Sequence, residues 1–179
     1  AFYDMHIKNA GKMISFAGYL MPIQFFNVYE EVLHVRKSVG VFDVSHMGEI
    51  IVKGKRRKEF VNYITTNNVL SLHPEQIQYT MMLYENAGIV DDLLVYNFDE
   101  TLMLVVNAAN IQKDYEWIMK NKWDDVEIMN ISDEISQLAV QGPYAQKTLE
   151  KIIDLKIQLS QKRSHPLDFL RQLIDKAFP

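Results

Sequence analysis

The chain has 179 residues, 48% of them hydrophobic and 11% aromatic, with a formal net charge of -4. That composition is enough for a buried core and excludes a disordered chain, and the mild acidity excludes the clustered positive charge that sequence-independent nucleic-acid binding requires. Cysteine is absent, which removes disulfides, thiolate metal sites and a cysteine nucleophile.

The longest apolar runs hold four or five residues, far below the roughly 20 that span a bilayer. The start, Ala1 to Asp4, has neither the basic residues nor the apolar stretch of a signal peptide. A soluble, intracellular setting is expected, with no membrane and no nucleic-acid partner.

Asn27 to Val39 reads as a helix. Asn27 is placed to cap it with Glu30 three residues on, and Arg36 and Lys37 fall in the last turn. Val28, Val32, Val35 and Val39 form a stripe at helical spacing, so one face is expected to be buried, and Gly40 can end the element. Glu49 to Lys53 reads as a strand ended by Gly54. Lys55 to Ile64 follows as a helix that opens on Lys55, Arg56, Arg57 and Lys58. Cations at a helix N-terminus are mildly unfavourable, so this cluster reads either as a docking patch for an acidic partner or, more simply, as a solvated helix end.

Gln76 to Tyr84, Ile89 to Phe98 and Leu102 to Val106 read as three strands. The turn Asn86-Ala87-Gly88 and the tight Asp99-Glu100 link join them, which makes them antiparallel neighbours. Asn110 to Asn121 is a helix with Ile111, Tyr115 and Ile118 on one side. Val126 to Met129 and Ile135 to Gln141 are short strands, and Pro143 opens a helix to Ile153. The fold class is therefore α+β, a mostly antiparallel sheet with helices on one face.

Gly88-Ile89-Val90-Asp91-Asp92-Leu93-Leu94-Val95-Tyr96 places two adjacent carboxylates in an apolar strand, which is costly unless something engages them. Alternation sends them to opposite faces, Asp92 with Leu94 and Tyr96, Asp91 with Leu93 and Val95. The alternative is that one caps the hairpin while the other sits at a solvated strand start. Asp43, His46 and Glu49 recur at three-residue intervals, but strand alternation keeps them from converging, so no metal site is expected. His6, His34, His73 and His165 show no partner pattern. Tyr79, Met47, Tyr96, Asp92 and Asn107 can line a slot for a flat heterocycle, with the carboxylate and the amide as polar anchors; the plainer reading is a hydrophobic sheet face.

Several stretches together resemble the glycine cleavage system T-protein family, the aminomethyltransferases. They are Phe16-Ala17-Gly18-Tyr19 with Met21-Pro22, the run Val35 to Glu49 (VRKSVGVFDVSHMGE), Gly88 to Tyr96, Val106-Asn107-Ala108-Ala109-Asn110 and Gln141-Gly142-Pro143. The likeness spans roughly Phe2 to Lys151 and corresponds to the family's N-terminal portion. It implies transfer of a one-carbon unit from an aminomethyl-dihydrolipoyl carrier protein (the H-protein) to tetrahydrofolate, with release of ammonia and no metal. It implies Asp92 as the key carboxylate, with Asp91 as its rival, and Met47, Tyr79, Leu94, Tyr96 and Asn107 around the pterin.

The resemblance also implies a domain layout. Residues 44–134 form a folate-binding subdomain; 1–43 and 135–155 form part of a second domain; 156–179 form a divergent tail with helical spacing at Leu167, Leu170, Ile174 and Ala177. The family's second half, with further folate-gripping residues, has no counterpart, so impaired activity and self-association through uncovered apolar surface are expected. A non-catalytic folate-binding or assembly module, or a fragment of a folate-dependent demethylating oxidase, shares the same features. The family operates in the cytoplasm, or in the mitochondrial matrix of a eukaryote.

Overall fold

The computed structural model describes residues 2–152; the helix expected within 156–179 lies outside them. The elements run α1 (Tyr3–Lys8), β1 (Lys12–Phe16), β2 (Tyr19–Gln24), α2 (Val28–Lys37), β3 (Gly40–Asp43), β4 (Gly48–Gly54), α3 (Arg57–Ile64), β5 (Ile77–Leu83), β6 (Ile89–Asn97), β7 (Leu102–Val106), α4 (Ile111–Lys120), β8 (Val126–Asn130), β9 (Leu138–Gln141) and α5 (Ala145–Ile152). The described residues divide into two compact units: Met47–Ile135 forms one, and residues 2–46 with 136–152 form the other. Among the described residues no helix is long and apolar enough to cross a membrane.

The Met47–Ile135 unit is a five-stranded sheet in the order β5-β6-β7-β4-β8. Every pairing is antiparallel. The expected order of strand, helix, three strands, helix, strand is what forms here. β4 lies between β7 and β8, with Ile51 opposite Met103 on one side and Met129 on the other. That central place explains why its sequence alternates so weakly: Gly48 to Val52 are all buried.

Alternation divides the apolar side chains between two faces. One face carries Ile50, Val52, Leu93, Val95, Leu104 and Val106, packed with Phe60, Val61 and Ile64 of α3 and Ile118 of α4. Both helices therefore cover the same face. The opposite face carries Ile51, Tyr96, Met103 and Val105, with Met47, Ile77, Leu94 and Met129 against them.

The chain leaves β4 at Gly54, whose φ of +118° lies in the region that favours glycine, and a side chain there would collide with the backbone of Asp125. α3 then begins at Arg57, two residues later than the charge cluster suggests. Three of its cations bind the chain itself, and Arg56 stays more than half exposed, as a solvated helix end leaves it. Arg56 pairs with both carboxylate oxygens of Asp125 at 2.7 and 2.8 Å and lies 4.7 Å from the centre of the Trp123 ring. Arg57 donates to the carbonyls of Gly54 and Asp99, and Lys58 to that of Leu72 at 2.7 Å. The cations secure loop carbonyls around the start of α3, which offsets their poor placement against its dipole.

The other unit holds the β1–β2 hairpin, the β3–β9 antiparallel pair and three helices. The hairpin, α1 and β3 carry no alternation strong enough to be read in advance. Asn27 caps α2 as expected, its Oδ1 accepting from the Glu30 amide at 3.2 Å. The valine stripe is not buried as expected: Val28 and Val32 are exposed. The unit is built of two-stranded ladders and short helices, and none of its described residues is fully buried; such thin layers cannot enclose a stripe.

Candidate functional site

The register of the sheet gathers the candidate residues. On β6, Leu94 and Tyr96 point away from α3 and α4 into the second face, and alternation puts Asp92 beside them. Leu94 is paired with Tyr79 of β5, and Tyr96 with Ile77. Met47 packs on the same face just before β4. Asn107 follows β7 directly, next to the Asp92 end of β6 because Leu93 pairs with Val106.

Asp92 is half-buried and its carboxylate is engaged on both oxygens. The Tyr79 hydroxyl donates to Oδ2 at 2.9 Å, and the Asn107 side-chain amide donates to Oδ1 at 3.0 Å. Hydrogen bonding to this carboxylate raises the Tyr79 phenol above its ordinary pKa, with small additions from desolvation and nearby charge. The charge on Asp92 is thus oriented from two sides, by one donor from β5 and one from the end of β7.

Asp91 faces the helices, as alternation requires, and is buried. It neither caps the hairpin nor meets solvent. Its carboxylate accepts from the Asn107 side chain at 3.0 Å, the Asn110 side chain at 2.9 Å and the Asn107 backbone amide at 3.4 Å. Burial alone would raise its pKa, but the neighbouring Asp114 carboxyl and the hydrogen bonds from Asn107 and Asn110 outweigh it and hold the group below the usual value. The two aspartates do not share a face, yet the Asn107 amide touches both.

Glu49, from the Asp43/His46/Glu49 spacing, lies on β4 in alternation with Ile51, which puts it on the Asp92 face. It is 1% exposed, and both carboxylate oxygens lack a hydrogen-bond partner among the described residues. Desolvation raises its pKa to about 8, so it is protonated at neutral pH. The Tyr96 phenol is raised as well, first by burial and then by the charge of Glu49.

In the other unit Asp43 ends β3, and its Oδ2 lies 2.8 Å from Nε2 of His6. His46 is packed by Phe16 at 5.8 Å and Tyr19 at 6.3 Å between ring centres, and burial lowers its pKa against the pull of Asp43. No group of three or more metal-ligating side chains occurs among the described residues.

Asn110, Asp114 and Glu49 were missed as participants in the site, and His6 was missed as a partner. Asn110 and Asp114 did carry a signal. They stand four apart at the start of a helix, which puts both on the side of α4 nearest Asp91. For Glu49, the signal was a lone carboxylate in a strand too apolar to be an edge.

The GCVT N-terminal domain family matches residues 2–171, so the family's sequence continues into the 156–179 stretch that was expected to diverge from it. An aminomethyltransferase of Natranaerobius thermophilus is 44% identical over 98% of this chain and 49% of its own length. One of Thermosipho melanesiensis is 51% identical over 87% of this chain and 44% of its own length. Among solved structures, the glycine cleavage system aminomethyltransferase T of Bartonella henselae aligns over 98% of this chain and 55% of its own, with a TM-score of 0.82 at 31% identity. The chain spans about half the length of the curated relatives it matches. A match covering nearly the whole sequence, together with a sheet that superposes on that structure, establishes that the chain belongs to the GCVT N-terminal domain family.

Proposed function

We propose that this chain supplies the tetrahydrofolate-facing part of an aminomethyltransferase, which transfers a one-carbon unit from an aminomethyl-dihydrolipoyl carrier protein to tetrahydrofolate and releases ammonia. In this reading residues 44–134 are the folate-binding subdomain and Asp92 is the carboxylate beside the pterin. Met47, Leu94 and Tyr96 form the surface on which the rings lie. A pterin needs an apolar surface to pack on and a carboxylate beside its nitrogen-rich edge, and this sheet face carries both. Bound there, tetrahydrofolate supplies the nitrogens that accept the one-carbon unit to give 5,10-methylenetetrahydrofolate.

The observation that carries the reading is the double anchoring of Asp92 by Tyr79 and Asn107. A carboxylate held from two sides keeps its charge aimed in one direction, which is what orienting a nitrogen nucleophile and stabilising positive charge beside it demands. The partners in this reading are tetrahydrofolate and the lipoylated carrier.

Calorimetric titration of the chain with tetrahydrofolate tests it. Saturable binding is expected, weakened at least about tenfold by Asp92→Asn; absence of binding, or binding indifferent to that change, defeats the assignment. Ammonia release on adding the aminomethyl-loaded lipoyl carrier then separates an enzyme from a non-catalytic folate-binding module.

A further inference from the structure

Strand β5 carries exposed apolar side chains on the face that holds Asp92. Direct partners across an antiparallel pair stand on the same side of the sheet, with Cβ atoms about 5 Å apart. Ile77 stands opposite Tyr96, Tyr79 opposite Leu94, and Met81 opposite Asp92. The neighbours of Met81 in the strand, Thr80 and Met82, are fully buried on the helix side. Alternation therefore turns the Met81 thioether to the proposed ligand face, where the residue is 36% exposed.

The backbone at Met81 is fixed although β5 lies at the edge of the sheet. The Met81 carbonyl accepts from the Thr66 amide at 3.0 Å, and Thr65 bridges to Met82. Thr80 Oγ1, one residue back, accepts from the Asn67 amide at 3.1 Å. The strand is thus held in register beside Asp92, and only the side chain of Met81 is left to face solvent there. A thioether is flexible and polarisable, packs against the edge of a flat ring and needs no hydrogen bond. A ring anchored by Asp92 comes within its reach.

We propose that Met81 is a further ligand-binding residue, the wall of the ring site beside Asp92, and that oxidation of its sulfur weakens binding. Hydrogen peroxide is the oxidant: the sulfur lone pair takes one peroxide oxygen, the O–O bond breaks, the sulfide becomes a sulfoxide and the peroxide is reduced to water. The new S=O group is a polar acceptor set beside the Asp92 carboxylate, which has no donor to offer it. Met5 on α1 and Met119 on α4 are at least as exposed as Met81, and α4 packs on the opposite face of the sheet. Those two methionines are internal controls. The identity of the ligand rests on the tetrahydrofolate reading above.

The test labels the methionine methyl groups of the whole chain isotopically and follows them by NMR during an anaerobic titration with tetrahydrofolate, Met81→Leu assigning the Met81 signal. The Met81 methyl is expected to move saturably while those of Met5 and Met119 stay still. Chain treated with hydrogen peroxide and then freed of it is expected to bind tetrahydrofolate at least about fivefold more weakly. Met81→Leu keeps an apolar wall without sulfur, so its untreated affinity is expected to stay within about twofold of wild type and to lose little on treatment. Saturable calorimetric binding with an unmoved Met81 methyl overturns this inference and leaves the folate reading standing; absence of binding overturns both. Equal loss on treatment in wild type and Met81→Leu, or intact affinity with Met81 shown by peptide mass to be fully oxidised, overturns the role of the sulfur.

Discussion

The Tyr79 hydroxyl donates to Oδ2 of Asp92 across the β5–β6 pair, at 2.9 Å, although the tyrosine itself is largely exposed. The two residues are not direct register partners: Tyr79 stands opposite Leu94, and Asp92 opposite Met81. The contact is therefore a diagonal one, reached because a phenol is long enough to bridge two positions along the strand. Replacing Tyr79 by phenylalanine leaves the apolar surface and removes only this donor. Tetrahydrofolate affinity is expected to fall by roughly threefold, less than for Asp92→Asn, because Asn107 still holds the other oxygen. Calorimetric titration of the two variants side by side checks the ranking; a larger loss from Tyr79→Phe would reverse it.

Glu49 makes stability depend on pH in a definite direction. Its carboxyl titrates near 8 in the folded chain and near 4.5 when unfolded. The folded state therefore binds more protons between those values, and stability is fully present below the lower one and lost as pH rises toward the upper. Asp114 acts with the same sign. Urea unfolding at pH 5, 6.5 and 8 is expected to show a decline on the order of a few kcal/mol. Glu49→Gln should remove its own share and leave that of Asp114, and an unchanged slope in that variant would remove Glu49 as a source.

The His6–Asp43 contact has the opposite dependence. Burial raises the Asp43 pKa, but hydrogen bonds from His6 and Ser45 and the charge of His6 outweigh it and leave the group below its ordinary value. Its contribution is present above the unfolded pKa and lost as pH falls through the folded one. Both side chains are 13% exposed, so Asp43→Ala is expected to cost roughly 1–3 kcal/mol at pH 7. A double-mutant cycle with His6→Ala measures how much of that is the pair; zero coupling energy would reduce the contact to mere proximity.

Self-association is the expected behaviour of the isolated chain. Phe26 is 63% exposed and Tyr29 72%, with Phe25, Val28 and Val32 also exposed nearby in sequence. Large exposed apolar side chains grouped in one stretch of sequence favour association in water. Sedimentation velocity should show mass rising with concentration, and Phe26→Glu with Tyr29→Glu should suppress it. A monomer at every concentration would place the driving surface elsewhere or nowhere.

Legibility in the sequence followed burial. β5, β6 and β7, α3 and α4 were readable because one face of each meets a core, which imposes a period on side-chain polarity. The opposite facing of Asp91 and Asp92 followed from the same period. β1, β2 and β3 were not readable, since their ladders are only two strands wide and enclose nothing that would demand alternation. The valine stripe of α2 shows the converse, a period with no enclosing layer over Val28 and Val32. The Asn107 bridge between Asp91 and Asp92 was invisible for another reason. It joins residues from separate segments of the chain, and only the register of β6 against β7 brings Asn107 beside both.

The central place of β4 bears on how the chain is made. Its partners, β7 and β8, are the strands that begin at Leu102 and Val126, so a ribosome must add about fifty more residues before Ile50-Ile51-Val52 can find a neighbour. At common elongation rates that is a wait of several seconds with an apolar segment unpaired. Nascent chains are then open to capture by chaperones, and substitutions that slow translation between Gly54 and Leu102 would lower yield without altering the finished protein.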